Sequence, residues 1–457
     1  MHAIPTHSAS SIDYLALITH LSHAPQLPSA SSMRNQLLSH FCARPAACAA
    51  EPELEREREP WAAMQRFRPG SSTLLVGHVP PHLLCVEAQA PAQTQASASV
   101  PSVQSGGLWG VVHIYTSPGA TNARVNVWLS SEPALYSSPH ASSSSSSSAP
   151  PLSERFAQEE VLLRHMLHRL LPPALAALHA AGSLPPASSS DEAPVVVTAT
   201  LCSLERSWLN LICSWAHADV GALQPLRQGS ESLTPAASHG ARAARAQKEQ
   251  VKAMWANPCV TYQCDAETLR LSEEAGKGKE RWKVAPIEGE GELELIRTSN
   301  KIPFPREYVE SRAHLSVFVR DLLGPSSPCA TAAAATASPA LPSDAYPREQ
   351  GAGHAAGFVY AHEELSLGAL HVTTPYRRLA CPPGIGRLLL AHMAPLLRTC
   401  LRSALQRAGL RPQDIGEAMC QVSADTEVMS GAEGFFERCG MRRVRETAWV
   451  GIEVSAA

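Results

Sequence analysis

Paired cysteines are missing from this chain. Its 12 cysteines are scattered singly, with no C-x-x-C pair and no His/Cys spacing that suits zinc. They read as small apolar residues or free thiols in a reducing compartment, and no metal is expected. Aromatic residues are scarce, at 5%, and alanine inflates the 44% hydrophobic content, so a dense core is expected only in places. An excess of either charge is missing too: 38 Lys and Arg stand against 41 Asp and Glu, for a net charge of −3. Nucleic acid is therefore not an expected partner, and the cluster Arg442-Arg443-Val444-Arg445 reads as a solvated face beside a strand. No apolar run is long enough to span a bilayer, so no membrane partner is expected. Met1 to Ala30 lacks the basic region and apolar core of a signal peptide. The expectation is a soluble, intracellular, cytoplasmic protein.

The 457 residues would allow two or three domains, but much of that length is low in complexity. Helical spacing of Leu15, Leu17, Ile18 and Leu21 suggests one or two helices near the start. Strand signals follow at 73–76, 83–86, 108–115, 124–129 and 194–198. Residues 88–106 and the serine run 142–148 read as loops. A helix is expected from Glu159 to Leu171, stopped by Pro172-Pro173, and another from Trp208 to Trp215. The Ser-, Ala-, Arg- and Gln-rich stretch 226–250 is the expected linker between an N-terminal lobe, 1–225, and a C-terminal lobe, 251–457. In the second lobe, short strands are expected at 260–262, 293–296 and 315–319, and a helix start in Pro303–Arg312. A further low-complexity excursion covers 325–350. Gly357–Ala361 and Leu367–Val372 read as antiparallel strands about a turn at His362–Ser366.

The chemistry concentrates after Leu367. A strand runs into Pro375-Tyr376-Arg377-Arg378, then Gly384-Ile385-Gly386-Arg387, then an apolar helix. A helix start presents unpaired backbone N–H groups and the positive end of the peptide dipoles, and glycine lets that backbone approach an anion. Arg377 and Arg378 can add charge-assisted bonds, so the segment suits a pyrophosphate. Alone, Gly-x-Gly before a helix is better read as an ordinary strand-to-helix turn. The Lys-Ser/Thr ending of a P-loop and the third glycine of a dinucleotide fingerprint are both missing.

The sequence Pro-Tyr-Arg-Arg, Gly-Ile-Gly-Arg and an apolar helix resembles the acyl-CoA motif of the GNAT N-acyltransferases. Downstream, Met419–Val422 resembles the family's next strand, and Ala424-Asp425-Thr426 with Ser430 resembles its following turn and helix. Phe435-Phe436-Glu437-Arg438-Cys439-Gly440-Met441 is similar to its Phe-Tyr-Glu-Lys-Leu-Gly-Phe signature. The resemblance is firmest over 357–454. Ile302–Tyr308 and the strands within 108–129 resemble a two-lobed group related to glycine N-acyltransferase. The fold so implied is α/β (α+β): a mixed, mostly antiparallel sheet flanked by helices, with two GNAT-like lobes in tandem. The activity implied is transfer of an acetyl or other acyl group from acetyl-CoA or another acyl-CoA to a small amine or amino acid. Protein N-acetylation and a non-catalytic acyl-CoA-binding or protein-interaction module are the alternatives.

By that resemblance Leu370, His371 and Val372 line the pantetheine arm, with the Val372 N–H as oxyanion donor. Arg377, Arg378, Gly384, Ile385, Gly386 and Arg387 hold the pyrophosphate, and Thr426 and Ser430 lie near the thioester end or the pantetheine arm. Glu363 and Glu364 are candidates for the base that takes the amine proton, although two solvated turn glutamates is the plainer reading. Ser366 best matches the position of the glycine acyltransferase glutamate. His371 reads as a core histidine first, and Cys381 and Cys439 as structural. The chain departs from the family in the five residues Leu379–Pro383 before the glycines, and in Phe436, which replaces a frequent tyrosine acid.

Overall fold

The structure, a computed structural model, describes residues 7–8, 12–22, 30–39, 72–79, 108–117, 122–131, 152–184, 195–215, 251–264, 281–299, 304–323, 353–377, 384–428 and 430–456. The segments expected at 83–86, 88–106, 142–148, 226–250 and 325–350 lie outside these residues.

The first half of the chain supplies helices α1 (Tyr14–Ser22) and α2 (Ser31–Ser39) and strands β1 (His7–Ser8), β2 (Ser72–His78), β3 (Gly110–Thr116) and β4 (Ala123–Leu129). After β4 come α3 (Leu152–His165), a π-turn at Met166–Leu170, and α4 (Leu171–Ala180). Then follow β5 (Val195–Glu205), α5 (Arg206–Trp215) and β6 (Val251–Cys264). The second half repeats the plan with β7 (Trp282–Ala285), α6 (Glu290–Ser299), α7 (Arg306–Arg312), β8 (Ser316–Asp321), β9 (His354–Ala361) and β10 (Leu367–Val372). It closes with α8 (Ile385–Arg407), β11 (Val422–Glu427), α9 (Ala432–Arg438) and β12 (Arg442–Ala456).

The described strands join one 12-stranded sheet in the order β1-β2-β3-β4-β5-β12-β6-β11-β10-β9-β8-β7. The order reads the same from either end. Each half contributes four strands, a helix, a parallel fifth strand, a second helix and a last strand, and the parallel pairs are β4/β5 and β10/β11. The last strands cross over. β6 lies between β12 and β11, and β12 between β5 and β6. Each half's closing strand therefore completes the other half's sheet. The mixed, mostly antiparallel sheet flanked by helices expected from the sequence is the observed architecture.

Helices cover the sheet in groups set by their apolar stripes. Leu389, Leu397 and Leu401 of α8 pack with Leu17 and Leu21 of α1 and Leu37 of α2 in one core. Leu163, Leu171 and Leu175 pack on Val125, Leu201 and Val450 in a second. Leu295, Ile296, Phe304 and Tyr308 pack on Phe318, Phe358 and Tyr360 in a third.

Several elements differ from expectation. Pro172 and Pro173 do not stop the helix; they sit at the start of α4, directly after the π-turn. A first-turn N–H needs no partner within its helix, so proline is tolerated there. Leu293–Ile296 is helical rather than extended: Leu295 and Ile296 are both buried, and Arg297 pairs with Glu294 one turn back. The Leu-Glu alternation imitated a strand's period. Met419 belongs to a short 3-10 turn, and the strand begins at Val422, so Ala424, Asp425 and Thr426 lie within it instead of in a turn. Arg445 is not solvated: it is 5% exposed and faces Glu205 at 3.5 Å.

Candidate functional site

β10 and β11 run parallel but are paired only at Leu367 and Ala424. Beyond that point they part. β11 keeps its other edge on β6 over all six residues, and β10 keeps its other edge on β9 through Val372. The first half shows the contrast: its parallel pair β4/β5 stays closed from Ala123/Ala199 to Asn126/Cys202. Only one of the two described parallel pairs opens after a single contact.

The register fixes what faces the opening. Thr373 donates its N–H to the Ala356 carbonyl at 3.0 Å, in the register that pairs Val372 with Gly357 and Leu370 with Val359. Antiparallel pairs alternate between bonded and non-bonded, so Leu370 and Val372 turn their backbone polar groups away from β9 and into the gap. The Val372 carbonyl there accepts a bond from Arg377 Nε at 2.7 Å. Arg377 thus folds back along β10, with Nη2 3.5 Å from His371 Nε2. The His371 ring stacks on Phe358 at 5.3 Å, and burial followed by the Arg377 charge lowers its pKa.

The start of α8 stands beside this gap. Gly384 caps it with φ +81, a backbone state that suits glycine, and among the described residues a Cβ there would meet nothing within 4 Å. Among the described residues, no side chain caps this end of the helix. Gly386 has a different reason to be glycine. A Cβ on it would lie 2.9 Å from Phe435 Cε2 and 3.9 Å from Leu370 Cδ2. The close approach it permits is to the Phe435 ring of α9. Ile385 is buried in the core, and Arg387 reaches toward the Arg438 carbonyl. Thr426 and Ser430 share a hydroxyl–hydroxyl bond of 2.8 Å at the end of β11. Arg378, Leu379–Pro383 and Cys381 lie outside the described residues. Phe436 is buried 5.7 Å from the ring of Tyr262, whose hydroxyl donates to Glu437.

The β9–β10 turn overturns one expectation: its glutamates are not solvated. Leu365 adopts φ +53, closing the turn, and Glu363 and Glu364 point inward, 0% and 4% exposed. Ser117 Oγ donates to Glu363 Oε1 at 2.6 Å, and Ser366 Oγ donates to Glu364 Oε1 at 2.8 Å. Ser366, in the position expected of the family's glutamate, therefore holds the neighbouring carboxylate. Burial lifts the Glu364 pKa above the ordinary carboxylate range, against the pull of the Arg124 guanidinium.

Around the turn gather residues to which the sequence assigned no role. His362 shares a 2.9 Å hydrogen bond with the Tyr308 hydroxyl, and burial, aided by Arg124, lowers its pKa to about 3. The imidazole is neutral at physiological pH. Asp425 accepts bonds from Ser203 and Thr261, each 2.6 Å, which ties β11 to β5 and β6. Arg124, from the first half, lies over the rings of Phe304, Tyr308 and Trp449 at 5.4, 5.3 and 5.9 Å. Glu364 lies three residues before Leu367, and Asp425 directly follows Ala424, so the cluster borders the point where the strands part. Among the described residues, no group of His, Cys, Asp and Glu could hold a metal ion, and no helix is long and apolar enough to cross a membrane.

The sequence matches no family model and no curated protein. Solved structures with a similar course of chain include a Drosophila protein, 10% identical, with 99% of both chains covered and a TM-score of 0.44. A tandem GNAT protein from the clavulanic acid biosynthesis pathway is 10% identical, with 94% of this chain and 96% of that one covered and a TM-score of 0.32. A GCN5-related N-acetyltransferase from Sphaerobacter thermophilus is 12% identical, with 80% and 85% covered and a TM-score of 0.30. The chain's own topology repeats one plan in each half: a parallel fifth strand, a helix before it, and a second helix leading to the closing strand.

Proposed function

We propose that the protein is an acyl-CoA-dependent N-acyltransferase acting on a small amine or amino acid. The observation that carries this reading is the parting of β10 from β11 just after Leu367/Ala424, beside the start of α8. Leu370 and Val372 turn backbone groups into the gap, where an extended pantetheine arm would pair with them as a strand does. The start of α8 at Gly384–Arg387, where no described residue crowds Gly384, suits a pyrophosphate. The residues present therefore fit acyl-CoA, which supplies the activated thioester.

In the reaction the amine nitrogen forms a C–N bond to the acyl carbon while the C–S bond breaks. Glu364 accepts the proton the amine loses. Its raised pKa brings it closer to that of the proton it must take. The sulfur leaves as free thiol after taking a proton from Glu364 or water. The Val372 N–H, turned into the gap, donates to the thioester oxygen as negative charge develops on it.

Isothermal titration with acetyl-CoA tests the reading. Micromolar binding, roughly −8 kcal/mol, is expected. Absence of binding to acetyl-CoA and to free CoA would overturn it and turn attention to a partner protein. Glu364→Gln should then cut turnover by about 10²–10⁴-fold with acetyl-CoA affinity unchanged. Normal turnover would remove Glu364 from the mechanism.

A further inference from the structure

Four polar atoms bordering the β9–β10 turn are buried without a hydrogen-bond partner among the described residues: Arg124 Nη1, Tyr115 Oη, Trp449 Nε1 and Glu364 Oε2. They come from β4, β3, β12 and the turn, segments of both halves. Tyr115 and Arg124 face each other in the β3–β4 register, and Arg124 lies over the Trp449 ring. The charges of Glu363 and Glu364 act on Tyr115, and that of Arg124 acts on Glu364. A buried polar atom left unpaired costs roughly 1–3 kcal/mol, so several such atoms around one turn mark a place shaped for something else.

The chemistry of the set is directional. Arg124, Tyr115 and Trp449 each offer an N–H or O–H, while Glu364 Oε2 can only accept when ionised. Glu364 Oε1 is already engaged by Ser366, which leaves Oε2 as its open acceptor. The Arg124 guanidinium is held by ring faces, which leave its in-plane N–H groups available to an acceptor. His362, neutral and bonded to Tyr308, adds no positive charge of its own. Three donors and one acceptor gathered at one turn fit a ligand that carries an anion beside an amine.

We propose that Arg124, Tyr115 and Trp449 form a specificity subsite that binds the carboxylate of the acceptor and directs its amine to Glu364 Oε2. This rests on the acyl-transfer reading of the same site. It adds that the half without an open strand pair supplies two of the three residues that choose the substrate, Arg124 and Tyr115. Without the carboxylate, the acceptor would leave the Arg124 Nη1 donor unpaired, and a site built to hydrogen-bond a group discriminates strongly against ligands that lack it.

The test pairs each amino acid with the amine left after its carboxylate is removed: L-alanine with ethylamine, and L-phenylalanine with phenethylamine. Turnover is followed by thiol release from acetyl-CoA, and binding of each compound alone is followed by isothermal titration. At least one amino acid should be acylated about 100-fold more efficiently than its amine and bind more tightly without acetyl-CoA present. Arg124→Met should abolish that preference while acetyl-CoA affinity stays at the wild-type value. Tyr115→Phe, which removes one oxygen and keeps the packing, should reduce the preference several-fold and serves if Arg124→Met does not fold. Equal handling of amino acid and amine by the wild type, or an undiminished preference in Tyr115→Phe and Arg124→Met, would overturn the proposal. Amino-acid binding that depends on Arg124 in a protein that ignores acetyl-CoA would keep the subsite and sink the acyl-transfer reading. Acetyl-CoA binding without amino-acid preference would do the reverse.

Discussion

Gly386→Ala should destabilise the protein through Phe435. The added methyl would sit 2.9 Å from Cε2 and 3.0 Å from Cζ of that ring. Carbon atoms in comfortable contact are about 3.5–4.0 Å apart, so the ring must retreat by roughly half an ångström or more. Its retreat is resisted, because Phe435 packs edge-on against Phe436 at 5.5 Å, and Phe436 is buried against Tyr262. Overpacking of this kind costs about 1–3 kcal/mol. Replacing glycine by alanine within a helix returns at most about 1 kcal/mol. A net loss of about 1–2 kcal/mol is expected. Phe435→Leu removes the obstruction, so the double variant should recover about 1 kcal/mol relative to the sum of the single changes. Urea unfolding of the four proteins measures this coupling directly. Additive losses would refute the packing argument and would mean that glycine is required at 386 for close approach of a bound anion. Acetyl-CoA titration of Phe435→Leu/Gly386→Ala then separates the two cases.

Gly384→Ala should cost about 1–3 kcal/mol in thermal or urea unfolding, because φ +81 with ψ 133 lies outside the left-handed helical well that other residues can enter, and no described residue crowds the added methyl. An unchanged stability would mean that the turn relaxes. Arg281→Met strands Asp321, which is 0% exposed and also accepts a bond from Tyr376, so a loss of roughly 3–5 kcal/mol is expected at neutral pH. Burial raises the Asp321 pKa, but its bonds from Arg281 and the Leu323 N–H outweigh that and hold it below 3.8. The stability from this pair is therefore present above that pH and fades as pH falls toward the folded pKa, and the penalty of Arg281→Met should shrink in acid melts. His362 works over another window. Its pKa falls from 6.5 to about 3 on folding, so the unfolded chain binds the extra proton between those values. Stability should rise with pH across that window, and His362→Gln should show a shallower slope in acid melts. An identical slope would place the titration elsewhere.

How much of this was legible in the sequence depended on the range of the interactions. The hairpin strands Gly357–Ala361 and Leu367–Val372 and the helix after Gly384 follow from local pattern, and they lie where that pattern put them. Local pattern failed where two periods compete, as at Leu293–Ile296, and where a π-turn moves two prolines to a harmless position. The exposure of Glu363 and Glu364 was not local at all. A glutamate pair in a turn reads as solvated until Ser117, 246 residues from Glu363 along the chain, and Arg124 are brought against it by the sheet.

The sequence by itself determined the α/β alternation, the glycine-bearing helix start and the strand before it, because hydrophobic period, glycine and proline act within a few residues of one another. Tertiary structure alone decided that each half lends its last strand to the other. It also decided that β10/β11 opens while β4/β5 stays closed, and that Arg124 and Tyr115 stand beside Glu364. Those outcomes depend on strand register and on contacts between residues more than 200 positions apart, for which a linear pattern carries no signal.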